Sequence, residues 1–201
     1  MPTPVNPKPY ALKDKVELSI EIFAKSEKPG TVELNRVKIV SQVEQMLDKY
    51  RAEAGTLTVD DLEQEKHESA VLAAFMTATG DPRPHELCHA HAIVSGAHKD
   101  AAELRAMLAW LKVRIDDPFN GCWLPRNTAA KAHMPPHLRD AVPHSRIHRY
   151  NYYFWLNRLI NPVATTSRDN LVKALGMIEL RLQNGSQPNF VMNRKGEGLP
   201  A

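Results

Sequence analysis

The chain has 201 residues, 43% of them hydrophobic, with 2 cysteines and a formal net charge of +3, enough apolar material for one core, alone or with a small extension. No apolar run approaches the roughly 20 residues that a bilayer span requires, the N-terminus lacks the apolar stretch of a secretory signal, and two cysteines exclude a disulfide framework. A charge this small permits a nucleic-acid partner without demanding one.

Residues 1–13 carry four prolines and read as an extended linker. Val16, Leu18, Ile20 and Ile22 alternate with Glu17, Ser19 and Glu21, a period of two that predicts a half-buried strand ended by Lys28-Pro29-Gly30. Val37, Val40, Val43, Leu47 and Tyr50 then recur at helical spacing up to Gly55. Thr58-x-x-Asp61 has the form of a capping box. It predicts one helix with Leu62, Ala70, Val71, Ala74, Phe75 and Ala78 as its stripe, stopped at Gly80-Asp81-Pro82. Residues 14–84, a strand plus a helical region, thus carry no chemistry of their own. They read as packing for a site or as a partner-binding surface.

Residues 85–162 differ. Eight of the nine histidines lie between His85 and His148, and imidazole is both the commonest side-chain metal ligand and the usual proton shuttle near neutral pH. Ala92-Ile93-Val94 before Gly96 predicts a brief strand. Asp100-x-x-Glu103 caps a helix with Leu104, Met107, Leu108 and Leu111 on one face. Asp116-Asp117-Pro118 reads as turn chemistry ahead of metal ligation. Asn120-Gly121 is a turn signal, and Cys122-Trp123-Leu124 before Pro125 predicts a second short strand. Cys88 and Cys122 read as small hydrophobes near the strands.

Residues 126–142 form a basic loop, read as solvated, with Arg126, Lys131, His133, His137 and Arg139 able to touch phosphates. Pro143 suits the first position of a helix on which His144, His148, Asn151 or Tyr152, and Trp155 share a face. The order strand, connection, strand, helix makes Asn120 and His148 available to face His91, as when two elements grip one ion. Residues 163–201 hold a last helix, from Ser167 to Asn184-Gly185, and a tail without period. The P-loop, the dinucleotide GxGxxG and the GxSxG elbow are absent.

Four ordered segments carry a resemblance. Ala90-His91-Ala92-Ile93-Val94, an amphipathic helix, Asp117-Pro118-Phe119-Asn120-Gly121-Cys122-Trp123-Leu124-Pro125 and His144-x3-His148-x-Tyr150 resemble the AHH nuclease family of the HNH/endonuclease VII superfamily. The resemblance implies an α+β, mostly helical fold: a ββα-metal (His-Me finger) core packed by amphipathic helices. It implies a divalent-metal-dependent endonuclease, with DNA ahead of RNA as substrate. One ion (magnesium, manganese, zinc or nickel) would sit on His91 and His148, with His144 as a further ligand or phosphate contact. Asn120 would hold the two-strand loop or orient the base, and Arg126, Lys131, Arg146 and Arg149 would meet nucleic-acid phosphates. Members often form the C-terminal part of bacterial polymorphic toxins. That implies an antibacterial effector made in bacterial cytoplasm, delivered by a secretion apparatus into the target-cell cytoplasm, with an immunity protein as partner.

One departure outweighs the matches. The family is named for Ala-His-His, and this chain has Ala90-His91-Ala92. The resemblance maps a metal ligand to His91 and the general base to Ala92, which has no proton acceptor, so the chain is expected to be nearly inactive. The flanking Ile93-Val94 fits the family, so the change reads as one deliberate His→Ala substitution that lets a host make a toxic nuclease, ahead of natural decay. His89, two residues away on the same strand face, is a stand-in base one step out of register. Two other readings remain: a structural-zinc or nucleic-acid-binding module using Cys88-x2-His91 with His144-x3-His148, and an interaction protein whose site has decayed.

Overall fold

The computed structural model describes residues 13–200, and the expected linker lies outside the described residues except for Lys13. The chain begins with α1 (Lys15–Lys25), α2 (Thr31–Glu53), α3 (Val59–Glu63) and α4 (Ser69–Ala78). It continues with β1 (Cys88–Ala92), α5 (Ala102–Trp110), β2 (Gly121–Pro125), α6 (Tyr150–Leu159) and α7 (Arg168–Gln183). This is the expected α+β, mostly helical architecture, with a ββα arrangement of β1, β2 and α6 inside it. Among the described residues no helix is long and apolar enough to cross a membrane.

The expected strand at 16–22 is a helix instead. Asp14 accepts from the Glu17 amide at 2.7 Å and Glu17 accepts from the Asp14 amide at 2.9 Å. This reciprocal cap satisfies two end donors, whereas a strand there would need a neighbour for its backbone groups. Ile20 and Ile22 are left exposed. The single helix expected from Thr58 to Ala78 is also corrected. The Thr58–Asp61 capping box forms, but the helix stops at Glu63, and residues 64–68 are held open by long-range partners. Glu65 binds Arg114, His67 binds Asp116, and the Glu68 amide donates to Asp116 at 2.8 Å.

Strands β1 and β2 pair antiparallel with His91 opposite Cys122 and Ala92 opposite Gly121. The first strand therefore lies four residues earlier than its apolar run predicts, because Ile93 and Val94 are taken up by Asn120. The Ile93 amide donates to the Asn120 carbonyl at 2.7 Å. The Asn120 side chain accepts from the Val94 amide at 2.8 Å and donates to Val94 and Ile115 carbonyls at 3.1 and 2.8 Å. Helix α4 covers one side of the pair. A Cβ at Gly121 would fall 2.7 Å from Met76 Sδ and 2.8 Å from Leu72 Cδ1, so a larger residue there would make these α4 side chains shift. The main core runs from Leu72 to Val191 and includes both buried cysteines.

Other expectations are redrawn locally. His98, not Asp100, caps the segment leading into α5, accepting from the Asp100 amide at 3.2 Å. Residues 126–142 are not a plain solvated loop: Ala130, Met134, Leu138, Ala141 and Val142 are buried in the core. The tail is ordered by contact, since Asn151 Nδ2 donates to carbonyls of Phe190, Arg194 and Glu197. Ser167 caps α7 as expected.

On α7, burial and the neighbouring charge of Asp81 push the Glu179 carboxyl up to about 7 from the ordinary 4.5. A raised folded value means stability is full below about pH 4.5 and is lost as pH rises through about 7. Glu179→Gln is therefore expected to leave Tm nearly unchanged at pH 4. At pH 8 it should add about 1–2 kcal/mol after discounting for partial exposure, or about 2–8 °C in a calorimetric scan.

Candidate metal centre

Because side chains alternate along a strand, His89 and His91 leave β1 on the side opposite Cys88, Ala90 and Ala92. The helix expected from Pro143 is here a short 3-10 turn, His144–Arg146, and α6 starts only at Tyr150. Fully buried Ile147 pins this segment to the core, and Arg149 takes an extended conformation as the α6 N-cap. His144 and His148 are thus delivered by the approach to the helix. One nitrogen from each of His91, His144 and His148 lies within 4.8 Å of the others, and His91's ring centroid is 5.1 Å from both partners.

Each of the three rings has one nitrogen engaged by a neighbour outside the group. The Tyr152 hydroxyl donates to the Ile93 carbonyl at 2.8 Å, so it accepts from His91 Nε2 at 3.2 Å. That fixes the His91 tautomer and leaves Nδ1 as a lone pair, which is buried and without a hydrogen-bond partner. An unsatisfied buried acceptor costs about 1–3 kcal/mol unless something else takes the pair. His148 Nδ1 lies 3.0 Å from the Tyr153 hydroxyl, and His144 Nδ1 lies 3.2 Å from His89 Nδ1. The two remaining atoms, His144 Nε2 and His148 Nε2, face each other at 3.2 Å. That distance suits either an N–H of one ring donating to the other nitrogen or two lone pairs turned to a shared cation. Nitrogens on one tetrahedral zinc are about 3.3 Å apart, given Zn–N bonds of about 2.0–2.1 Å.

Electrostatics agree with the geometry. Burial, then the charges of His148 and His144, holds the His91 imidazole well below its ordinary range. Burial, then His148 and His89, brings His144 down to about 4, and burial followed by His98 lowers His148. The three rings are therefore neutral at pH 7, as a cation requires of its ligands. The donor set of three imidazoles, each steadied through its other nitrogen, fits a divalent transition ion.

Other site expectations divide. His89 stands on the His91 face as predicted, but it steadies His144 (rings 5.3 Å apart, edge to face). Asn120 is fully buried and spent on the backbone of both strand ends, so it holds the loop and does not turn toward His91. Cys88 donates from its thiol to Met134 Sδ at 3.4 Å and is absent from the histidine group, which removes the zinc-finger ligand set. Arg126 and Arg146 are exposed and Lys131 is half-buried. Arg149 donates to the Met192 carbonyl at 3.2 Å, an anchor for the tail. Asp117 is bound by Arg51 at 2.8 Å through both oxygens, and Asp116 by His67, so neither aspartate belongs to the group of His91, His144 and His148. Ala92 is 4% exposed, at the end of β1 beside this group. Tyr153, which meets His148 Nδ1, has no sequence signal, because i, i+5 is not a helical-face spacing, and spacing alone does not separate Tyr152 from Asn151.

A family model described as AHH, a nuclease family of the HNH/ENDO VII superfamily with conserved AHH, matches residues 72–179. No curated protein and no solved structure matches.

Proposed function

The chain belongs to the AHH nuclease family of the HNH/endonuclease VII superfamily, and from that membership we propose that its site hydrolyses phosphodiester bonds, of DNA before RNA, using one divalent ion. His91, His144 and His148 would hold the ion. The observation that carries this is the buried, unpartnered Nδ1 of His91 beside the paired Nε2 atoms of His144 and His148.

The ion would supply Lewis-acid stabilisation of charge at the scissile phosphate and the leaving oxygen. The chain's own groups do the rest. Tyr152, Tyr153 and His89 orient the three rings; Asn120 locks the strand ends that place His91 and position 92. The base belongs at position 92, and alanine there cannot take the proton of the attacking water. We read this chain as a nuclease strongly slowed by that one residue. Arg126 and Arg146, exposed on the segments around the site, would meet phosphates.

Two results test this. Tyr152→Phe keeps the packing but removes the group that fixes the His91 tautomer. By isothermal titration with zinc or manganese, affinity is expected to fall about 10- to 100-fold; unchanged affinity would contradict His91 as a ligand. Slow catalysis also makes binding measurable without cleavage. Plasmid DNA should be retained at low salt, with affinity falling linearly on a log–log plot as salt rises. The slope should become shallower by about 2 in Arg126→Ala/Arg146→Ala if each arginine neutralises one phosphate. No binding at low salt would remove nucleic acid as the ligand.

The wider role follows from the family resemblance: an antibacterial effector, delivered by a secretion apparatus into a target-cell cytoplasm and neutralised in the producer by an immunity protein. Its support is the chemistry itself, since an unrestrained endonuclease in bacterial cytoplasm is lethal.

A further inference from the structure

One histidine lies outside the dense stretch and outside the matched region, five residues before it. His67 sits in the bend between α3 and α4, and its Nδ1 is bound by Asp116 Oδ1. Asp116 is 3% exposed, and its other oxygen accepts from the Glu68 amide at 2.8 Å. Its own amide donates to the Tyr50 hydroxyl at 3.0 Å. The carboxylate is thus rigidly seated, and Nδ1 must carry the proton. In the neutral ring the lone pair is then on Nε2, which accepts from the Ser69 hydroxyl at 3.1 Å.

Through Ser69 this couple borders the candidate centre. Ser69 lines a cavity of about 340 Å³ together with His89, Ala90, Arg83 and His144. His67 is close enough that an imidazolium there would oppose protonation of His91, His144 and His148. The 93–98 loop closes on it. A Cβ at Gly96 would fall 2.8 Å from His67 Cβ, so a larger residue there would push the loop off the imidazole.

A buried carboxylate that fixes an imidazole tautomer and steadies the imidazolium is a general arrangement for moving one proton. We propose that His67, oriented by Asp116, is the proton acceptor left to this chain with Ala92 in place. The proposal rests on the nuclease reading of the same site. In the step, the attacking water gives a proton to Ser69 Oγ as the Ser69 hydroxyl proton passes to His67 Nε2. The water oxygen forms the new bond to phosphorus. The bond from phosphorus to the leaving oxygen breaks with its electron pair on that oxygen, which takes a proton from solvent. His67 then returns its proton to solvent, and Ser69 ends unchanged.

His67→Asn tests this, because an amide can still donate to Asp116 from the Nδ1 position but offers no base at Nε2. The full chain is incubated with supercoiled plasmid and manganese, beside His67→Asn and beside Ala92→His. The unaltered chain is expected to nick slowly. His67→Asn should lower that rate about 100-fold, the lower part of the usual general-base contribution, while Tm and manganese affinity stay unchanged. Added imidazole should recover part of the loss, which a merely structural role would not allow. Equal nicking by the unaltered chain and His67→Asn overturns the proposal. So does an unaltered chain with no nicking while Ala92→His cuts, a result that leaves the nuclease reading standing. Silence from all three chains defeats both.

Discussion

Ala92→His is expected to raise metal-dependent cleavage of plasmid DNA by about 10²–10⁴, the range of a positioned general base, and to turn a tolerated protein into one that arrests bacterial growth. His91 already faces the other two histidines, and position 92 leaves β1 on the opposite side, at the strand end that Asn120 fixes. The same substitution carries a cost. Ala92 is 4% exposed within the core cluster, so an imidazole there must displace neighbours, and overpacking typically costs about 1–3 kcal/mol. The restored chain should therefore be the more active and the less stable of the two, measured by cleavage rate and by Tm. Intact plasmid and RNA across magnesium, manganese, zinc and nickel would end the enzyme reading.

The second large effect is loss of the ligands. His91→Ala or His148→Ala in the Ala92→His background is expected to return cleavage to that of the unaltered chain or below, a fall of at least about 10²–10⁴. A chelator should do the same to the unmutated site. His91→Ala should also relieve the buried unpartnered nitrogen, partly offsetting the cavity it leaves, so the folded state should survive while activity does not. Cleavage that persists in both single-ligand variants would show that the ion, if any, is held elsewhere.

The site's order along the chain was legible because its chemistry is local. The Asn120-Gly121 turn, the β-branched residues beside His91 and the i, i+4 pair His144 and His148 each carry a short-range signature. Most of what escaped was set by distant partners, and residues 16–22 are the local exception. The period-two pattern at 16–22 reads as a strand until the Asp14–Glu17 cap is seen to close a helix. The break at 64–68 exists because Glu65 and His67 are claimed by Arg114 and Asp116, some fifty residues on. The late start of α6 follows from the burial of Ile147, which no periodicity of the surrounding histidines reveals. Asn151 and Tyr152 are equivalent on a helical wheel; only the tail's carbonyls, which engage Asn151, leave Tyr152 for His91. Arg114 is likewise engaged by residues distant in sequence, Glu65, Glu53 and the Tyr50 ring.

The most direct test of the centre is an anomalous difference map from crystals grown with manganese or zinc. One strong peak is expected per chain, within about 2.0–2.3 Å of His91 Nδ1, His144 Nε2 and His148 Nε2. A peak at other residues, or none there at saturating metal, would contradict a metal centre built from these three histidines.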